Sequence, residues 1–369
     1  MRGTITRARR RVNPRRFPGL LRAHALLIVM ALVAASAVVV LRSSDGGASP
    51  AAVAQRGAAA AALPAGAIGS RPRSAPSPEP ASIDARLAAG GYEMPPHALV
   101  YGAVIERGPD GLSYRQVQAG GGALGEGFWP ASSIKVLAAL GALDFARTLG
   151  FTGDALVVFD IGEKARTLRS IYEAAIRDSS NYDYDLLVQI AGRDRLNNQF
   201  LTAANGFPAT SITRPYDNDD LETSPPMIFD QGDRRTYVPE RPAKLDPECD
   251  AGNCSNLFEM TESVRRIVLN DELPAYERFA LDPSDIAALR QALLDADGFF
   301  PAPVAAVVGP DARIYDKPGD ADGLDCLDVS LIEAPDGRRW LLSASMPHAE
   351  GGCDALADLA TAVLRILVA

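Results

Sequence analysis

Histidine is almost missing from this sequence, with three in 369 residues. His24 lies in an apolar N-terminal run, His97 precedes the first strand-like segment and His348 follows the last. A Ser-His-Asp triad would need one of the latter two, and no Gly-x-Ser-x-Gly elbow accompanies them, so that arrangement is not expected. Lysine is nearly as scarce. Only Lys135, Lys164, Lys244 and Lys317 stand among 37 basic residues. Where arginine serves almost every cationic role, a lysine marks a place that needs what arginine cannot do, which is to lose a proton. Cysteine is limited to four, Cys249, Cys254, Cys326 and Cys353. The short CDAGNC loop favours Cys249–Cys254, leaving Cys326–Cys353, with free buried thiols as the alternative. Only His348 lies near any of them, at no recognised zinc spacing, so neither metal nor cofactor is expected.

Acidic residues are absent from residues 1–22, which hold eight arginines, and the apolar run 23–41 follows. A basic flank before a segment of that length reads as a cytoplasmic end and a membrane anchor. A cleavable signal ending near Ala35-Ser36-Ala37 is the alternative. Either way the remainder is expected outside the cytoplasm, held at the inner membrane or secreted. Residues 43–82 are rich in Ala, Gly, Pro and Ser and too poor in large apolar groups to order themselves, so they read as a tether. From residue 83 onward 25 basic residues face 44 acidic ones, which argues against nucleic acid as a partner.

Residues 83–369 are long enough for one large domain. ALVYGAVIE and LSYRQVQAG are strand-like, separated by the turn RGPDG. From about 150 to 302 the apolar spacing is mostly helical, interrupted by a stretch, 206–253, that reads as irregular. APVAAVV, ARIYDKPG, LDVSLIEA and RRWLLSASM then read as strands, with Asp336-Gly337 as a two-residue hairpin turn, before an apolar-striped final helix. The expected fold is α/β of the α+β kind. One antiparallel sheet is formed from both ends of the domain, with an inserted helical lobe and a C-terminal helix.

FWPASSIKVLAAL places Ser132 three residues before Lys135 at a helix start, on one face. A lysine in an apolar helix has its charged form penalised, so its amine can accept the proton of a nearby hydroxyl. An isolated Ser-x-x-Lys means little, but RDSSNYDYDLL adds Ser179-Ser180-Asn181 and IYDKPGD adds Lys317-Pro318-Gly319. The order matches the trio Ser-x-x-Lys, Ser-Asp-Asn and Lys-Thr-Gly of class A β-lactamases and penicillin-binding proteins. Over about residues 90 to 369 the chain resembles these penicillin-recognising serine hydrolases.

The resemblance implies that Ser132 is the acylated nucleophile, Lys135 its base and Ser179 the proton relay to the leaving nitrogen. It also implies that Asn181, Lys317 and Gly319 hold the substrate, a β-lactam or a peptidoglycan-like peptide. Two departures stand out. Pro318 replaces a hydroxyl residue, and the loop after Arg214 lacks the glutamate that activates the deacylating water. Asp219 and Asp220 are the acids available to replace it. The expected activity is therefore that of a β-lactamase-like serine hydrolase. A D,D-peptidase, or a weakly active relative that binds envelope peptides or a partner protein, is the alternative.

Overall fold

In a computed structural model the described residues run from 79 to 369, apart from 126–127, 160–164, 218–220, 245–248, 250 and 322. The expected N-terminal anchor, nearly all of the tether, Lys164, Asp219 and Asp220 lie outside them. Among the described residues no helix is long and apolar enough to cross a membrane.

The chain opens with β1 (Ala81–Ser82), helix α1 (Asp84–Ala89), β2 (Leu99–Gly108) and β3 (Gly111–Ala119). A 3-10 turn over Ala131–Ile134 runs directly into α2 (Lys135–Thr148). The inserted lobe holds β4 (Leu156–Phe159), β5 (Arg166–Thr167), α3 (Leu168–Arg177), α4 (Asn181–Ala191), β6 (Met227–Gln231) and β7 (Arg234–Val238). Helices α5 (Leu257–Val268), α6 (Pro283–Leu294) and α7 (Pro301–Val307) follow. The chain then returns to the sheet through β8 (Arg313–Asp320), β9 (Asp325–Glu333) and β10 (Arg339–Pro347), and α8 (Gly352–Val368) ends it.

The main sheet has the order β1-β3-β2-β10-β9-β8, antiparallel except for β1 beside β3. It is built from both ends of the domain, as the sequence pattern predicts. Both faces are covered. Leu327, Val329 and Leu331 of β9 meet the core shared with α2 and α5, while Trp340, Leu342 and Met346 of β10 pack with Leu359, Val363 and Leu367 of α8. Strands buried on both sides carry apolar residues at nearly every position, which is why their sequences lack a clean alternation.

Three details depart from the sequence expectations. The segment APVAAVV, residues 302–308, expected as strand, falls almost wholly in α7; Pro301 at its first turn supplies the helical φ without losing a needed donor. The β9–β10 hairpin closes on Ala334 and Arg338 around a three-residue loop, Pro335-Asp336-Gly337, with Gly337 at φ 85°. The left-handed glycine absorbs the extra residue that a two-residue turn would omit. Within the stretch expected to be irregular, β6 and β7 form a tight hairpin across Gly232-Asp233 and join β4 and β5 in a four-stranded sheet. MIFDQGDRRTYV carries that strand-turn-strand signal, but its charged residues hide the alternation.

Helix α2 is buried on all sides from Lys135 to Ala146 and packs most heavily against α4. Helix α4 is fixed at both ends. Ser180 caps its start by accepting from the Asp183 N–H at 3.2 Å. At its end Arg241 donates to the carbonyls of Gln189 at 2.8 Å, Ile190 at 3.0 Å and Ala191 at 3.2 Å. A guanidinium there satisfies carbonyls the helix cannot and complements its dipole. The disulfides are Cys249–Cys254 and Cys326–Cys353, the second joining β9 to α8.

Candidate active site

Three separate elements converge on one point. Ser132 sits in the turn leading into α2, Lys135 is the first residue of α2, and Ser179 and Asn181 flank the N-cap of α4. Lys317 comes from β8, the edge strand of the main sheet. The Lys135 amine donates to the Ser179 carbonyl at 2.5 Å and to Asn181 Oδ1 at 2.6 Å, with Ser179 Oγ farther off at 3.4 Å. Lys317 Nζ donates to Ser179 Oγ at 2.9 Å and to the Pro318 carbonyl at 3.1 Å. Ser179 Oγ thus lies between two buried amines. Among the described residues Ser132 Oγ has no hydrogen-bond partner, and the direct Ser132–Lys135 bond anticipated from their spacing is not formed in this state. Two close acceptors engage the two N–H bonds a neutral amine possesses and leave its lone pair unspent.

Backbone strain collects here. Three non-glycine residues among those described have left-handed φ, and two of them, Ala131 at 44° and Ser179 at 52°, adjoin or belong to this group. Such conformations cost on the order of 1–3 kcal/mol each and persist only where the surroundings enforce them. Gly319 has a clear packing reason. A Cβ there would stand 3.0 Å from the Pro130 carbonyl and 3.1 Å from Ala131 Cβ, so its missing side chain lets β8 close onto the serine's own turn. Pro318 is tolerated because β8 is a sheet edge.

Burial is the first cause that lowers the Lys135 pKa to about 7, and the Lys317 charge adds to it, with Asp185 and Asp183 opposing. Burial likewise lowers Lys317, to about 8, while Asp328 and Asp316 hold it up. These two carboxyls are buried beside each other behind Lys317, on β9 and β8; burial raises both, and at Asp316 the Asp328 charge adds to the rise. A Cβ on Gly298 would overlap both carboxylates.

A cavity of about 320 Å³ opens over the serine, walled by Trp129, Ser132, Ser179, Arg214, Tyr216 and Asp320. Four of these walls, Trp129, Arg214, Tyr216 and Asp320, were not identified from sequence as site residues. Tyr216 donates to the Ala131 carbonyl at 2.7 Å, accepts from Trp129 Nε1 at 3.3 Å, and stacks on Tyr184 at 4.5 Å. Its ring lies 5.5 Å from the Lys135 amine. Burial pushes its phenol up to about 12, so it remains a donor at neutral pH. Asp185 fixes the backbone beneath it, accepting from the N–H groups of Tyr216 and Asp217 at 2.9 Å each. Asp320 shares a hydrogen bond with His348 Nε2 at 3.1 Å. The stretch FWP and the later RPY held the aromatic signal, but residues 87 apart such as Trp129 and Tyr216 can be paired only by the fold.

The fold is that of class A β-lactamases and of PBP-A. A class A beta-lactamase from Mycobacterium abscessus matches with a TM-score of 0.53 at 16% identity, covering 78% of this chain and 100% of its own. The TLA-3 extended-spectrum beta-lactamase gives 0.55 at 12% identity, with 78% and 98% covered. PBP-A gives 0.54 at 16% identity, with 78% and 97% covered. No family model matches the sequence, and no curated protein matches it either.

Proposed function

We propose that this chain is an exported, membrane-tethered serine hydrolase that forms an acyl-enzyme at Ser132 with a β-lactam or a related cell-envelope peptide. The observation that carries this reading is the buried Lys135 amine, bonded to Ser179 and Asn181 at the foot of the cavity that holds Ser132. Ser132 Oγ attacks the amide carbonyl carbon and its proton passes to the neutral Lys135 amine. The C–N bond then breaks as the Ser179 hydroxyl protonates the leaving nitrogen, and Ser179 recovers its proton from Lys135. Lys317 stays charged and attracts an anionic substrate. Water finally cleaves the ester and returns free Ser132.

That last step is slow in this reading. Among the described residues the loop side of the cavity presents Tyr216, a phenol that stays protonated and is tied to Ala131, where a water-activating base would serve deacylation. This favours a long-lived acyl-enzyme, nearer a penicillin-binding peptidase than an efficient β-lactamase. The test is to incubate the full chain with a fluorescent penicillin and a chromogenic cephalosporin while following intact mass and colour. We expect a covalent adduct that persists with little colour. Rapid colour would overturn slow deacylation, and no adduct, with Ser132→Ala indistinguishable from the native chain, would overturn the function.

Acylation should have a narrow pH optimum. Lys135 must be neutral to act as base, so activity rises as pH passes about 7. Lys317 must stay charged, so activity declines as pH passes about 8. Adduct formation rates measured from pH 5 to 10 read both limbs, and a flat profile would contradict these roles.

A further inference from the structure

Arg214 enters the site for a reason the acylation chemistry does not use. Its backbone is held from both sides by the fully buried Asn253, whose Oδ1 accepts from the Arg214 N–H at 2.9 Å and whose Nδ2 donates to the Arg214 carbonyl at 3.0 Å. The Tyr184 hydroxyl adds a bond to the same carbonyl at 3.2 Å. From that fixed point the exposed guanidinium lies over the Trp129 ring, 4.7 Å from its centroid, on the wall of the cavity that contains Ser132. No carboxylate among the described residues pairs with it, although the chain carries 46 acidic residues. An indole face holds a guanidinium in place while leaving its planar fork of donors open to a carboxylate.

We propose that Arg214 and Trp129 form a second anion-reading subsite, so that the preferred ligand carries a carboxylate apart from the amide it presents to Ser132. The inference rests on the acyl-enzyme reading for the identity of the amide. It commits to a ligand with an acidic side group, such as a peptide with an acidic residue next to the scissile bond. Lys317, approaching through Ser179 from β8, remains a separate positive charge on another element. The ligand therefore meets two cations fixed by unrelated parts of the chain.

The test uses two probes that differ by one carboxylate: benzylpenicillin, and its derivative with a carboxylate on the side-chain carbon next to the phenyl ring. Binding to the full-length Ser132→Ala chain is read at equilibrium by tryptophan emission and by calorimetry, without acylation. We expect the carboxylated probe to bind about tenfold more tightly. The preference should fall below about twofold in Ser132→Ala/Arg214→Gln and return in part with Arg214→Lys. Equal affinities, a preference that survives Arg214→Gln, or no binding of either probe would overturn the subsite. Failure of the underlying acyl-enzyme reading is seen separately, as absence of a covalent adduct between the native chain and benzylpenicillin.

Discussion

Replacing Lys135 by Met should reduce acylation of Ser132 by about 10³-fold, the scale expected when a positioned general base is lost, while leaving the fold at least as stable. The two effects have one origin. Lys135 is fully buried at the head of a helix whose other residues through Ala146 are also buried, so its ammonium form is held there at a cost. Its folded pKa, lowered from 10.5 to about 7, sets the sign. Between those values the unfolded chain binds the proton and the folded chain does not, so stability rises with pH across that window and the full penalty is carried below about 7. Met has similar volume and no charge to desolvate, at the loss of the bonds to Ser179 and Asn181. Time-resolved intact mass measures the rate, and melting at pH 6 and pH 9 measures stability. The native chain should gain on Lys135→Met as pH rises. Unchanged acylation in Lys135→Met would remove the base from the mechanism.

Asn253→Ala should be the costliest single polar truncation near the site. Fully buried Asn253 accepts from the Thr213 and Arg214 N–H groups at 2.9 Å each, and donates to the Tyr184 hydroxyl and the Arg214 carbonyl at 3.0 Å each. Each such bond contributes roughly 0.5–1.5 kcal/mol net, and a buried group left unpaired costs more, so a loss of about 3–4 kcal/mol is expected. The segment Thr213–Asp217 would then keep its bonds to Asp185, Gly252, Ala131 and the Tyr184 hydroxyl, but Arg214 would lose both of its backbone ties to Asn253 and be less firmly placed. Urea denaturation gives the loss of stability, and an unchanged midpoint would show that the segment is held by other contacts.

The residues proposed to be catalytic were conspicuous in the chain because they are few and ordered. Scarce lysine made Lys135 and Lys317 conspicuous, and Ser179 and Asn181 share one short motif with a helix start. The structure brings these with Ser132 and Gly319 into one place. The sheet formed from both chain ends was readable too, since strand-like runs bracket a helical middle. What was not readable is whatever depends on pairing distant residues. Trp129, Tyr216 and Asn253 look like ordinary loop residues until the fold sets them side by side. Gly319 shows the opposite limit: its place in the motif was legible, while the approach of β8 to Pro130 and Ala131 that requires a glycine was not. The hairpin over Met227–Val238 was hidden because exposed charges occupy the positions where apolar alternation would have shown it.

The left-handed conformations of Ala131 and Ser179 bear on the timing of the chemistry. Their unfavourable torsions are held by the fold itself, with β8 packed at Gly319 against Pro130 and Ala131 and the Lys135 amine bonded to the Ser179 carbonyl. In the proposed acyl-enzyme reaction Ser132 and Ser179 would thus start already in place. An arriving substrate has little conformational work to do, and the free energy of its binding remains available for the bond it is about to lose.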